Sequence, residues 1–184
     1  MSLLTEITQA NEHFMSHLPD DFSAISKLPQ RQLAIITCMD TRLVDFLEPA
    51  LGVRRGEAKI IKTAGNSVTG NFDDIIRSLL VCIYELGVKE IMVIGHHHCG
   101  MAHATSQELI SAMLSRGIEP SAIDAVKSEL TAWVDEFHHP EDNVRHTVAN
   151  IRNNPLIAHD IPVHGLIFHP DTGKIDILDS GYGK

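Results

Sequence analysis

Two short segments carry the residues of this chain that could do chemistry. Residues 95–101 read GHHHCGM, three histidines followed by a cysteine, and residues 38–42 read CMDTR, which contains Cys38, Asp40 and Arg42. Thiolates and imidazoles are preferred ligands of zinc, which takes about four ligands in a tetrahedron. A run of histidines can also be a surface tract, and composition alone does not separate the two. The place of these segments in the fold therefore decides whether they form a metal site.

Both segments directly follow short apolar runs that are typical of strands buried on both faces of a sheet. These runs are QLAIITC (32–38) and EIMVIG (90–95), and AKIIKTAG (58–65) is a further strand candidate. Between them, apolar residues at helical spacing predict a helix over 72–86. Alternating strands and helices predict an α/β fold with a mostly parallel sheet flanked by helices.

The rest of the chain predicts further helices and a closing pair of strands. Helical spacing in LVDFLEPALGV (43–53) predicts a helix that Pro49 shortens or kinks. Residues 101–136 read as mostly helical with an interruption around RGIEP (116–120), and 144–154 as another helix that ends before a proline. The tail IPVHGLIFHPDTGKIDIL (161–178) predicts two strands joined by the turn PDTG.

Composition limits the class of protein. The 184 residues, with 43% hydrophobic and 21% charged residues, are typical of one globular domain, 1–184. A net charge of -9 without a Lys/Arg cluster disfavours nucleic acid and anionic lipid as partners. The N-terminus has no basic start before a long apolar run, and no segment is apolar for long enough to cross a bilayer, so we expect a cytoplasmic protein. Three cysteines are too few, and odd in number, for a disulfide framework.

The predicted fold brings the two segments together, because ligands of open α/β sheets bind beyond the carboxyl ends of the strands. Cys38, Cys99 and one histidine would supply the three protein ligands of a catalytic zinc site. We favour His96 over His97 and His98, since the spacing H-x-x-C lets one tight turn present an imidazole and a thiolate to the same ion. The side chains of His98 and Cys99, which are adjacent in sequence, would have difficulty binding the same ion.

Asp40 lies two residues beyond a proposed ligand and has two possible roles. It could coordinate zinc itself, or it could accept a hydrogen bond from metal-bound water, with Arg42 holding the carboxylate through two parallel hydrogen bonds. A purely structural ion pair is the simpler alternative. Cys82 lies inside the predicted helix 72–86 with no partner motif, so we expect it to pack in the core.

These motifs resemble those of the β-class carbonic anhydrases, in particular the compact bacterial members. The resemblance rests on C-x-D-x-R and H-x-x-C-G at the ends of strands, separated by an Ala-Gly turn, and it extends over most of residues 30–180. Segments in the family order are CMDTRL, GEAKIIKTAGN, ELGVKEIMVIGHHHCGM and IPVHGLIFHPDTGKI. The resemblance implies reversible, zinc-dependent hydration of carbon dioxide to bicarbonate and a proton. The residues it implies are the zinc ligands Cys38, His96 and Cys99 and the catalytic pair Asp40 and Arg42.

The resemblance also implies an assembly. Members of this family form homodimers or dimers of dimers, and their N-terminal helices often embrace the partner subunit, so we expect residues 2–18 to form such an arm. Gly65 and Gly100 most simply relieve crowding of the backbone around the site, although their N–H groups could also face bicarbonate.

Two other functions stay open on the sequence alone. One is hydrolysis of a carbon dioxide analogue, carbonyl sulfide or carbon disulfide, by the same kind of zinc site with a different access path. The other is a non-enzymatic relative that binds zinc or bicarbonate. The presence of Asp40 and Arg42 beside the proposed ligands argues against a binding module, which does not need this pair.

Overall fold

A five-stranded sheet, in the order β2-β1-β3-β4-β5, forms the centre of the fold. The computed structural model describes residues 1–18 and 25–183. The strands are β1 (Leu33–Cys38), β2 (Ala58–Thr63), β3 (Glu90–His96), β4 (Val163–Phe168) and β5 (Ile175–Asp179). The first four strands are parallel to their neighbours, and β5 is antiparallel to β4. The predicted mostly parallel α/β sheet and the closing pair of strands are therefore confirmed.

Helices connect the strands and cover both faces of the sheet. They are α1 (Leu3–Ser16), α2 (Leu47–Ala50), α3 (Asp74–Tyr84), α4 (Ser106–Ser115), α5 (Pro120–Asp124), α6 (Lys127–Asp135) and α7 (Pro140–Arg152). Short 3-10 turns at 41–43, 64–66 and 100–103 follow the carboxyl ends of β1, β2 and β3. None of the helices in the described ranges combines the length and apolar composition that crossing a bilayer needs.

Two apolar layers enclose the sheet, which explains the unbroken apolar runs in the sequence. All six residues of β1 are buried. On one face, α3 and α7 pack against the sheet through residues such as Ile76 and Val148, and Cys82 belongs to this layer. On the other face, α2 and the segment around Phe137 form the second layer with Phe168. Burying each large aliphatic side chain contributes about 1.5–3 kcal/mol, so the two layers hold the strands in a fixed register.

The predicted helix over 43–53 is wrong in extent. The chain forms a 3-10 turn over 41–43 and then one short helix, α2. Asp45 between them has φ of 53°, a left-handed conformation that a continuous α-helix does not contain. The helical spacing of the apolar residues was real, but it reflects two short turns that both face the core.

The predictions for the second half of the chain need smaller corrections. The region 101–136 is divided into α4, α5 and α6: the predicted interruption at 116–120 is a turn at Gly117, and a second break at Ala125–Val126 was not predicted. Helix α7 begins at Pro140 rather than at Val144, because proline suits the first helical position, where no N–H is needed.

Candidate metal centre

Cys38, His96 and Cys99 meet at the carboxyl edge of the sheet. Cys38 is the last residue of β1 and His96 is the last residue of β3, which is its parallel neighbour. After β3 the chain turns sharply at His98, whose φ of 56° is left-handed, and this turn brings Cys99 back toward the strand ends. The sheet therefore positions two of the predicted ligands and a tight turn positions the third.

The three side chains have the spacing and burial of a metal site. One ligand atom from each lies within 4.8 Å of the other two, and the residues are 4%, 1% and 2% exposed. The sulfur atoms of Cys38 and Cys99 are 3.9 Å apart, far beyond the roughly 2.05 Å of a disulfide. With zinc–sulfur bonds of about 2.3 Å, the edge of a tetrahedron is about 3.8 Å. The separation of the thiols fits a shared tetrahedral ion.

The His96 ring supports the same interpretation. Its Nδ1 lies 2.9 Å from the backbone carbonyl of His97, and because a carbonyl only accepts, Nδ1 carries the hydrogen. Its Nε2 then presents a lone pair, and this buried atom has no hydrogen-bond partner. Buried polar atoms are normally satisfied, so this nitrogen needs an explanation. A metal ion would satisfy it, and the bond from Nδ1 to a carbonyl is the usual way in which a ligating imidazole is oriented.

The other two histidines of the run point elsewhere. His97 is partly buried, with Nδ1 3.5 Å from Glu141 Oε1, and His98 is exposed. The structure therefore groups His96, and neither of its neighbours, with the two cysteines.

The two thiols are electrostatically different. The pKa of Cys38 is lowered to about 4, first because the Cys99 thiol donates a hydrogen bond to its sulfur, and further by the neighbouring His96 ring and by the backbone amides of Gly65 and Asp40. The pKa of Cys99 is raised, chiefly because of that same hydrogen bond and then by burial, although the Met101 amide opposes the shift. Backbone N–H groups directed at both sulfurs are suited to hold thiolates.

Gly65 is fixed by its surroundings. Its φ is 71°, and a Cβ at this position would lie 2.8 Å from the ring of Phe137. Its carbonyl accepts a hydrogen bond from Asn143 Nδ2 at 2.7 Å, which holds the amide toward Cys38. Gly100, by contrast, is exposed, and a Cβ there would contact nothing. The substrate contacts of these two glycines stay predictions. The Gly65 amide is directed at the sulfur of Cys38.

Asp40 and Arg42 form a bidentate pair beside the cluster. Arg42 Nε donates to Oδ1 at 2.9 Å and Nη2 donates to Oδ2 at 2.8 Å, while the Arg42 amide also donates to Oδ1 at 2.9 Å. Nη2 additionally donates to the carbonyl of His98 at 2.8 Å, which ties the guanidinium to the turn after β3. These bonds from Arg42 are the main cause that lowers the pKa of Asp40 to about 2.

Asp40 faces the cluster without belonging to it. Its Oδ2 is 3.7 Å from the unpaired Nε2 of His96, and its side chain is 17% exposed. The ligand set that lies within 4.8 Å does not include this carboxylate. In this arrangement Asp40 can accept a hydrogen bond from a molecule at the cluster, and it is held back by Arg42.

Sequence reasoning missed the support that comes from the second half of the chain. Asn143 on α7 and Phe137 just before it fix the position of Gly65, and Ser67 Oγ donates to Asn143 Oδ1 at 2.8 Å. No spacing or composition links Phe137 and Asn143 with the motif at Cys38, because they are distant from it in sequence and reach Gly65 only through the packing of α7 and the segment before it.

Several known proteins are similar to this chain over most of its length. The family model described as "Carbonic anhydrase" matches residues 33–175. The crystal structure of a β-carbonic anhydrase, isoform I, from Trichomonas vaginalis is 51% identical, covers 99% of this chain and 100% of its own, and superimposes with a TM-score of 0.95. Bacillus subtilis YvdA is 40% identical over 99% of this chain and 94% of its own length. A carbon disulfide hydrolase of Acidithiobacillus thiooxidans is 32% identical over 79% of this chain and 76% of its own.

The family match covers both cysteine motifs and all four parallel strands, and the 51% identical structure shares nearly the whole fold. The chain therefore belongs to the β-carbonic anhydrase family.

Proposed function

We propose that this protein catalyses the reversible hydration of carbon dioxide to bicarbonate and a proton, with zinc held by Cys38, His96 and Cys99. The observation that carries the proposal is the buried Cys-His-Cys cluster, in which the His96 Nε2 lone pair has no partner. Two thiolates and an imidazole are a donor set that favours zinc over magnesium or calcium. Membership of the β-carbonic anhydrase family supports the reaction.

Asp40 is suited to orient the water that reacts. Zinc in such a site acts as a Lewis acid that lowers the pKa of water to about 7. Because Arg42 keeps the pKa of Asp40 at about 2, the carboxylate is ionised at neutral pH and can only accept hydrogen bonds. Its Oδ2, directed toward the cluster, would accept a hydrogen bond from the hydroxide that remains once a proton has left to solvent, and would so hold a lone pair of the oxygen toward the carbon.

Arg42 acts on this step through Asp40. It occupies both carboxylate oxygens and the carbonyl of His98, so the carboxylate is held in one orientation. Carbon dioxide is small and uncharged, and its attack by hydroxide needs no further charged group to bind it. The guanidinium is therefore a positioning group for Asp40.

Carbon dioxide is favoured over its sulfur analogues as the substrate. Identity to the carbon disulfide hydrolase is 32% over 79% of this chain, against 51% over 99% for the Trichomonas β-carbonic anhydrase. A zinc-binding or bicarbonate-binding protein without turnover would not need a carboxylate held by three hydrogen bonds beside the cluster.

The assembly that we propose is a homodimer in which residues 2–18 form an arm that packs on the partner subunit. Helix α1 contains no buried residue. Its apolar side chains are largely exposed, among them Leu3, Leu4, Ile7 and Phe14. A partner subunit that covers this face would remove the apolar surface from water. The rest of 1–184 forms one domain in this proposal.

A cytoplasmic location is also part of the proposal. The thiols of Cys38 and Cys99 are free and only 3.9 Å apart, so before metal binding they would be open to oxidation. A reducing compartment keeps such thiols available as ligands.

The test is stopped-flow hydration of carbon dioxide by the zinc-replete protein, run beside assays with carbonyl sulfide and carbon disulfide. We expect turnover of carbon dioxide that His96→Ala abolishes together with bound zinc. Cys82→Ala is the matched control, because this cysteine belongs to the other core layer from Cys38 and Cys99, and it should keep both zinc and activity. Faster turnover of a sulfur analogue, or full activity of His96→Ala, would contradict the proposal.

A further inference from the structure

A second group of potential ligands lies at the same edge of the sheet, outside the Cys-His-Cys cluster. His98 follows β3, His169 follows β4, and Asp171 lies in the turn between β4 and β5. One ligand atom from each lies within 4.8 Å of the other two. Within residues 1–18 and 25–183, two groups of three or more His, Cys, Asp or Glu side chains are close enough to share an ion: this group and the Cys-His-Cys cluster.

The backbone that carries this second group is fixed by the sheet. β3 and β4 remain paired to their ends, where the His97 amide donates to the Phe168 carbonyl at 2.9 Å. Beyond β4, the His169 amide donates to the Lys174 carbonyl and the Gly173 amide donates to the His169 carbonyl, both at 2.9 Å. Ligands on a fixed backbone lose little conformational freedom when an ion binds.

The contacts that hold these side chains together are weak: the Asp171 backbone amide donates to His169 Nδ1 at 3.3 Å, a bond that an ion at this nitrogen would replace. His169 Nδ1 and Asp171 Oδ2 are 3.9 Å apart, at the outer limit of an ion pair. The rings of His98 and His169 meet edge to face, with centroids 6.1 Å apart. His98 is exposed, the His169 side chain is 34% exposed and that of Asp171 is 67% exposed, so an ion could reach all three from solvent.

Arg42 limits how tightly a cation can bind here. The negative charge of Asp171 acts on Arg42, although the bond to Asp40 is the larger influence on this guanidinium. Arg42 also donates to the backbone carbonyl of His98. An ion at the second group would lie near a positive charge, with the repulsion reduced by solvent and salt. Binding should therefore be weaker and more readily reversed than in the buried cluster.

We propose that His98, His169 and Asp171 form a second, exchangeable site for a divalent late transition metal ion, and for zinc in particular. Two imidazoles and one carboxylate suit zinc, nickel or copper, and water would complete the coordination shell. Magnesium and calcium prefer oxygen ligands and are disfavoured by the two imidazoles. The site is distinct from the one on which the proposed function depends.

The test is calorimetric titration of Zn²⁺ into protein whose Cys-His-Cys site is already zinc-replete. We expect about one further ion per chain, with an affinity that falls at least tenfold in His169→Ala and also falls in Asp171→Asn. His159→Ala, which removes an exposed histidine elsewhere, should bind like the wild type. Elemental analysis before titration should find one tightly held zinc per chain in each variant, which shows that the variants fold.

Three results would overturn the second site. They are the absence of a further ion in the wild type, its retention at full affinity in His169→Ala, and its loss in His13→Ala, which would place the ion at the His13–His17 pair on α1. Absence of the tightly held first zinc would instead contradict the proposed Cys-His-Cys centre. The proposed function and the second site can therefore fail independently of each other.

Discussion

At the scale of single residues, Arg42 is the group whose removal should separate zinc binding from catalysis. It donates to both oxygens of Asp40 but does not belong to the Cys-His-Cys cluster. A hydrogen bond to a charged group contributes about 1.5–3 kcal/mol, and the loss of that much transition-state stabilisation lowers a rate roughly 10- to 100-fold. We therefore expect Arg42→Ala to lower kcat/KM for carbon dioxide roughly 10- to 100-fold while zinc content stays the same.

Arg42→Lys provides the comparison for this prediction. Lysine keeps the positive charge but cannot hold a carboxylate through two parallel bonds. It should recover part of the lost rate if the orientation of Asp40 matters. Wild-type rates in Arg42→Ala, measured by stopped flow, would show that the pair is only structural.

Substitution of Gly65 tests whether the position of the backbone amide directed at the Cys38 sulfur requires glycine. Gly65→Ala places a Cβ 2.8 Å from the Phe137 ring at φ of 71°, whereas Gly87→Ala, at φ of 69°, meets no neighbour. Both variants should lose about 1–2 kcal/mol of unfolding free energy from the left-handed backbone. Gly65→Ala should lose more, and it should also bind zinc more weakly.

Denaturant unfolding and elemental analysis measure the two effects on Gly65→Ala. Equal destabilisation of the two glycine variants, with unchanged zinc in both, would mean that neither the Phe137 contact nor the amide directed at Cys38 matters.

At the scale of secondary-structure elements, Asp135 links the end of α6 to the start of α4. Its carboxylate accepts hydrogen bonds from the Ser106 amide and hydroxyl, both at 2.7 Å. These bonds, the hydroxyl first, lower the pKa of Asp135. A depressed pKa stabilises the folded state above the ordinary aspartate value of about 3.9, and this contribution is lost as the pH falls through the folded-state value.

We accordingly expect Asp135→Asn to lower the melting temperature at pH 7 and to have a smaller effect near pH 3. Asp160→Asn, at an exposed position, is the control and should change the melting temperature little at either pH. Circular dichroism melts across this pH range measure the difference. An Asp135→Asn effect that stayed constant with pH would show that the charge of this carboxylate does not contribute.

The elements also show what the sequence predicts and what it does not. The strands at 33–38, 58–63 and 90–96 lie within two residues of their predicted bounds, because burial on both faces leaves an unbroken apolar run. The helix expected over 43–53 was wrong because apolar spacing does not reveal the left-handed Asp45 that interrupts it.

The same distinction holds for the site. The topology of parallel strands predicts that Cys38 and Cys99 meet, and the cluster was predictable for that reason. The positions of Gly65 against Phe137 and of Asn143 against the Gly65 carbonyl depend on how α7 packs across the sheet, which no local pattern encodes.

At the scale of the whole molecule, α1 is expected to hold two subunits together. Its exposed apolar residues would be covered only in the assembly, so deletion of residues 1–18, or Leu4→Ser with Ile7→Ser, should shift the protein from the proposed dimer toward monomers, which weigh about 20 kDa for the 184-residue chain. Gln9→Ala, a polar position on the same helix, should leave the dimer intact. Light scattering that finds a wild-type monomer would contradict the proposed arm.

The central claim, that the buried cluster holds zinc through two thiolates and one imidazole, is tested most directly by zinc X-ray absorption on the purified protein. We expect two sulfur neighbours at about 2.3 Å and an imidazole nitrogen at about 2.0–2.1 Å, with a light-atom ligand completing the set. Cys38→Ser should remove a sulfur neighbour or the metal itself. A tightly held zinc surrounded only by nitrogen and oxygen would contradict the account.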